Sequence, residues 1–71
     1  RNLRLVELLH HIRQRRLEAG ADVSHCIVLA LPRWDENGPS GGAMMTVRFA
    51  LAFGIPVRIW RPGVGWERYE G

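Results

Sequence analysis

Arg33 and the turn Ser40-Gly41-Gly42-Ala43 are the residues whose types and spacing best suit chemistry. Glycines let a backbone approach a ligand closely and take positive φ. Free N–H groups at a helix start attract anions, and a nearby arginine adds charge-assisted hydrogen bonds. These five residues form the expected ligand-binding site, and the ligand they suit carries a phosphate. Asp35 and Glu36 are a neighbouring carboxylate pair, but adjacent acids in a polar loop are usually solvated, so no residue is assigned as catalytic. His10 and His11 sit about 100° apart on a helix and do not share a metal readily. His25 has no carboxylate at ligand spacing, and no metal site or cofactor is expected. Trp60, Trp66 and Tyr69 can stack on a base or sugar, although packing at a sheet edge is their commoner role.

The elements that must position these groups are legible along the chain. Residues 2–19 read as a helix, with Asn2 as N-cap and Gly20 as the left-handed residue past its end. Leu5, Leu8, Leu9 and Ile12 recur at helical spacing and are the expected core stripe, with Leu17 extending it. Arg13, Arg15 and Arg16 complement the helix dipole near the C-terminus. After the Gly20–Ser24 connection, the apolar run Cys26–Leu31 suits a strand buried on both faces, closed by Pro32. The loop from Pro32 to Gly41 is longer than most β-to-α links, which favours a functional role. A helix over about 43–53 follows, apolar nearly all round, so a sheet and something further should cover it. Met45, Phe49 and Phe53 form its expected second face. Val57–Arg61 reads as a half-exposed strand, 62–65 as a turn, and Trp66–Tyr69 as a short antiparallel return. The β-loop-α-β order predicts an α/β fold whose 26–31 and 57–61 strands are parallel neighbours joined by a right-handed crossover.

Composition sets the remaining bounds. Seventy-one residues allow one domain with a thin core. A partner chain or self-association is therefore expected. The single cysteine excludes an intrachain disulfide and fits a buried position in a reducing compartment. All ten basic residues are arginine, as a GC-rich genome favours, and the net charge of +3 is mild for a dedicated nucleic-acid binder. No apolar run approaches a membrane span and no signal-peptide pattern is visible, so the expected setting is cytoplasmic and membrane-free. The chain opens on Arg1 rather than Met, as a processed or trimmed piece would.

Gly20-Ala21-Asp22, Ile27–Pro32, Ser40-Gly41-Gly42, Val47-Arg48 and Gly54-Ile55-Pro56-Val57 together resemble the C-terminal half of small SLOG-superfamily Rossmann-like domains. Relatives in that superfamily include cytokinin-activating phosphoribohydrolases, DNA-processing protein A and nucleotide-signal sensors. Arg1-Asn2 echoes a pair that precedes the Gly-Ala-Asp turn in small members. The resemblance covers roughly residues 20–60. It implies a single SLOG-like domain over 1–71 with a truncated, Rossmann-like parallel sheet: α-β-α-β plus a short C-terminal hairpin strand. It also implies a nucleotide or nucleotide-derived ligand at the phosphate-binding turn. Two departures stand out: Ala43 replaces the family's threonine after the turn, and Thr46 occupies the hydrolases' glutamate position. Glycosidic hydrolysis would then need Asp35 or Glu36 to stand in for the absent acid, and the resemblance leans away from it. The family's first strand and its own glycine-rich loop have no counterpart here. The alternatives are a small structural or interaction subunit, and single-stranded DNA binding through arginine and tryptophan.

Overall fold

The parallel pair expected between the two apolar runs forms, with Val28 opposite Val57, Leu29 opposite Arg58 and Ala30 opposite Ile59. The computed structural model describes residues 2–71. Its elements in order are α1 (Asn2–Glu18), β1 (Val28–Ala30), β2 (Arg33–Asp35), β3 (Gly38–Ser40), α2 (Ala43–Ala52), β4 (Val57–Arg61) and β5 (Gly65–Tyr69). Arg1 and the side chain of Asn2 lie outside the described residues, and with them the expected cap and the Arg1-Asn2 pair.

The architecture is mixed α/β: a three-stranded sheet in the order β1-β4-β5 and a separate two-stranded hairpin, β2-β3. The sheet is mixed rather than all-parallel. β4 and β5 are joined by a tight turn whose Gly63 and Gly65 take φ of 80° and 99°, and strands so closely linked pair antiparallel. β1 is shorter than its apolar run. The Cys26 N–H donates to the Val23 carbonyl at 2.9 Å, which holds Cys26 in a turn before the ladder begins.

Both helices end in the same way. At α1 the Gly20 N–H donates to Leu17 O and the Ala21 N–H to Arg16 O; at α2 the Gly54 N–H donates to Leu51 O and the Ile55 N–H to Ala50 O. These paired bonds satisfy the last carbonyls and need a left-handed residue, supplied by Gly20 at φ 72° and Gly54 at φ 73°.

Val6, Ala30, Met44, Val47, Ala50, Ile55, Val57 and Ile59 make the core. α2 lies on the sheet face that presents Val57 and Ile59, and α1 packs on α2. The further cover that α2 needed is thus α1 of the same chain: Phe49 and Phe53 are half-buried, and His10 stacks on Phe53 with centroids 4.8 Å apart. Only Met45 of the three expected second-face residues stands well exposed.

The face α1 uses for this differs from the expected one. Val6 is buried, with Leu9, His10 and Arg13 half-buried beside it, whereas Leu5, Leu8, Ile12 and Leu17 are exposed. Successive helix residues point 100° apart, so a helix meeting a single neighbour buries only the arc around Val6. The leucine stripe lies on its flank.

Candidate functional site

The predicted site residues come from three elements that meet past the carboxyl end of β1. What read as an open loop from Pro32 to Gly41 is folded into the β2-β3 hairpin, with Arg33 opposite Ser40, Trp34 opposite Pro39 and Asp35 opposite Gly38. Asp35 is spent on this turn: its Oδ1 accepts the Asn37 N–H at 2.8 Å. Glu36 is exposed at the tip. Trp34 ties the hairpin to the sheet, its Nε1–H donating to the Trp60 carbonyl at 2.7 Å, while the Arg61 guanidinium sits 4.7 Å above the Trp34 ring. Arg61 also donates to Glu67 at 2.9 Å.

Pairing with Ser40 brings Arg33 back over the start of α2. The Arg33 side-chain stem comes within 3.7 Å of where a Cβ on Gly41 would sit, and Gly41 has φ 90°. A glycine is needed at Gly41 for its backbone conformation. Gly42 differs: its φ is −63° and a Cβ there would meet nothing within 4 Å. The space beside Gly42, at the start of α2, is open.

That turn is uncapped. No side chain hydrogen-bonds to it, and no acid lies in its first turn. The Met44 and Met45 N–H groups donate to Gly41 O and Gly42 O at 3.1 Å, leaving the Gly42 and Ala43 N–H groups without partners among the described residues. Such amides carry the positive end of the helix dipole. Arg33 is exposed and has no ion-pair partner among the described residues. Arg33, Ser40, Gly41, Gly42 and Ala43, up to ten positions apart in sequence, therefore form one positive, accessible corner. Thr46, one turn further along α2, is half-buried.

Of a second region, the aromatic residues Trp60 and Trp66 stood out in the sequence, but not their grouping with Leu29, Arg58 and Arg68 on one face. The sheet face turned away from α2 is bare and carries Leu29, Arg58, Trp60, Trp66 and Arg68. At its lower end lies a cavity of about 570 Å³ lined by Arg13, Ser24, Leu29, Arg58, Trp66 and Arg68, among others. The signal that locates these residues is the strand alternation in Val57–Arg61 and Gly65–Tyr69, which sets Arg58 with Trp60 and Trp66 with Arg68 on one side.

No helix among the described residues is long and apolar enough to cross a membrane, and no group of three or more metal-ligating side chains is present among them. No family model, curated protein or solved structure matches the chain.

Proposed function

We propose that this chain is a binding module for a nucleotide or nucleotide-derived ligand, whose phosphate is held at the start of α2. The observation that carries the reading is the uncapped first turn of α2 with the unpaired Arg33 folded beside it. Amides of Gly42 and Ala43 donate to phosphate oxygens, and the Arg33 guanidinium adds a charged contact. Gly41 permits the turn, and open space above Gly42 admits the ligand. The resemblance of residues 20–60 to SLOG domains points to the same ligand class, and a Rossmann-like ancestry of the β1-α2-β4 unit belongs to this proposal.

The test is a thermal-shift and calorimetric panel of mono- and dinucleotides at millimolar concentration. Wild type is stabilised by phosphate-bearing members and not by nucleosides. Arg33→Ala weakens binding by about 1.5–3 kcal/mol, the worth of a charged hydrogen bond. Gly42→Val blocks backbone approach while the fold, read by circular dichroism, is kept. If no phosphate-bearing ligand shifts the wild type, the reading falls.

A second reading rests on a different observation. Leu5, Leu8 and Ile12 expose an apolar stripe on α1, at 63%, 56% and 43%. A structural or interaction subunit, as a homo-oligomer or with a partner chain, would use that stripe. Sedimentation across micromolar concentrations separates it from a monomeric binding module.

A further inference from the structure

The bare face of the β1-β4-β5 sheet is independent of the corner at Arg33, and its chemistry differs. Antiparallel register sets Arg58 beside Arg68 and Trp60 beside Trp66, with Leu29 next to Arg58 on β1. Charge and aromatic surface thus lie in two adjacent rows. Alternate residues of a strand are about 7 Å apart. Trp60 and Trp66 are 42% and 44% exposed, and they meet edge to face with centroids 5.6 Å apart at 78°. Their exposure leaves indole surface open beside that contact. The ring of Trp60 is held within 3.8 Å of where a Cβ on Gly65 would sit.

The charge on this face is one-sided. The residues lining the cavity include three arginines and no carboxylate. Arg13 reaches it from α1, with its Nε buried and without a partner among the described residues. Arg68 is paired with Glu70 at 3.0 Å, but both side chains are more than 70% exposed, and exposed pairs exchange readily. The modest net charge of +3 understates the local field. Glu67 is taken by Arg61, the Asp22 carboxylate at the cavity's edge accepts both bonds from Ser24, and Asp35 and Glu36 lie on the hairpin.

From these rows we infer that the bare face binds single-stranded nucleic acid. Bases stack on Trp60 and Trp66 while Arg58, Arg68 and Arg13 meet the backbone phosphates. A duplex fits poorly, because no helix or ribbon stands on this face to enter a groove. An apolar protein surface would leave the arginines unpaired, with Leu29 the lone aliphatic among the five residues of the two rows.

The test is fluorescence anisotropy of a labelled twelve-residue oligothymidine at low salt, with duplex DNA and heparin as competitors. Wild type binds saturably, and log affinity falls with log salt at a slope near about −2, as three phosphate contacts on a single strand give. Trp66→Ala lowers affinity by roughly tenfold, and Trp66→Phe restores most of it. Arg58→Ala reduces the salt slope by about 0.7. Should Trp66→Ala fail to fold, the Phe variant and the Arg58→Ala slope decide. Arg48→Ala, an exposed arginine of α2 outside both surfaces, leaves oligonucleotide binding unchanged, and the loss on Trp66→Ala persists in an Arg33→Ala background, which keeps this result separate from the nucleotide reading. No binding by wild type at 100 µM overturns the inference. So does equal competition by heparin, or a Trp66→Ala variant that binds like wild type. A wild-type dimer that Trp66→Ala dissociates also overturns it, by giving the face to a second copy.

Discussion

The two faces of one three-stranded sheet are built from alternate residues of the same strands, and they have opposite characters. Val57 and Ile59 point toward α2 and are essentially buried; Arg58 and Trp60, their neighbours on β4, point the other way and are exposed. One face holds the fold together and the other stands exposed. The division follows from strand periodicity alone, since successive side chains take opposite sides. It also separates stability from binding residue by residue, which makes it open to direct test.

The largest effect is expected from comparing neighbours on β4. Ile59→Ala opens a cavity in a core of few residues and costs about 2–5 kcal/mol. In a domain this small that is a large part of the total stability. Arg58→Ala, one residue away, changes stability by at most about 0.5 kcal/mol. Urea denaturation of the two variants checks the contrast. Similar losses for both would mean that the bare face is part of the fold.

Much of this division was legible in the sequence. The alternation in Val57–Arg61, the parallel partnership of the two apolar runs and the antiparallel return through Trp66 all follow from residue type and turn chemistry. The core face of α1 was not legible. Of the expected stripe Leu5, Leu8, Leu9 and Ile12, Leu9 alone packs on the core, beside Val6, His10 and Arg13, and only the position of α2 decides between the two arcs. The β2-β3 hairpin was hidden for another reason. Arg33-Trp34-Asp35 and Gly38-Pro39-Ser40 are three-residue strands, too short for alternation to stand out, and the pair is held by the Asp35 turn and by the Trp34 bond to Trp60. Of the site, the Gly-Gly turn and Arg33 were visible as residue types. The cavity beside Arg58 was not, because it joins α1, the connection to β1 and three strands.

A smaller effect comes from the two ends of α2. Gly54 closes the helix at φ 73° beneath the buried Ile55, so Gly54→Ala costs about 1–2 kcal/mol through backbone strain. Gly42 begins it at φ −63° with open space above, so Gly42→Ala is neutral or stabilising by up to about 1 kcal/mol. Thermal melts of the two variants sharpen the comparison. A destabilised Gly42→Ala would show that the start of α2 is not the open corner described.

The smallest effect concerns the turn that leads Ser24 to the mouth of the bare face. The Ser24 N–H, and then its hydroxyl, donate to the Asp22 carboxylate at 2.9 Å each, and these bonds hold the Asp22 carboxyl below its usual 3.8, with minor help from His25 and Arg16. A depressed carboxyl contributes stability above its unfolded value and loses it as pH falls through the folded one. Asp22→Ala should therefore lower the melting temperature slightly at neutral pH. The gap to wild type should close below about pH 3.8. A gap that persists unchanged in acid would assign the effect to the backbone and not to the carboxylate.

Phosphate binding at the start of α2 is tested most directly by a ¹⁵N-correlated NMR titration with a mononucleotide. The amide signals of Gly42 and Ala43 should move first and furthest and Arg33 Nε should follow, while Arg33→Ala should reduce the amide shifts. Shifts confined to Leu29, Arg58, Trp66 and Arg68, or no shifts at millimolar ligand, would contradict phosphate binding there.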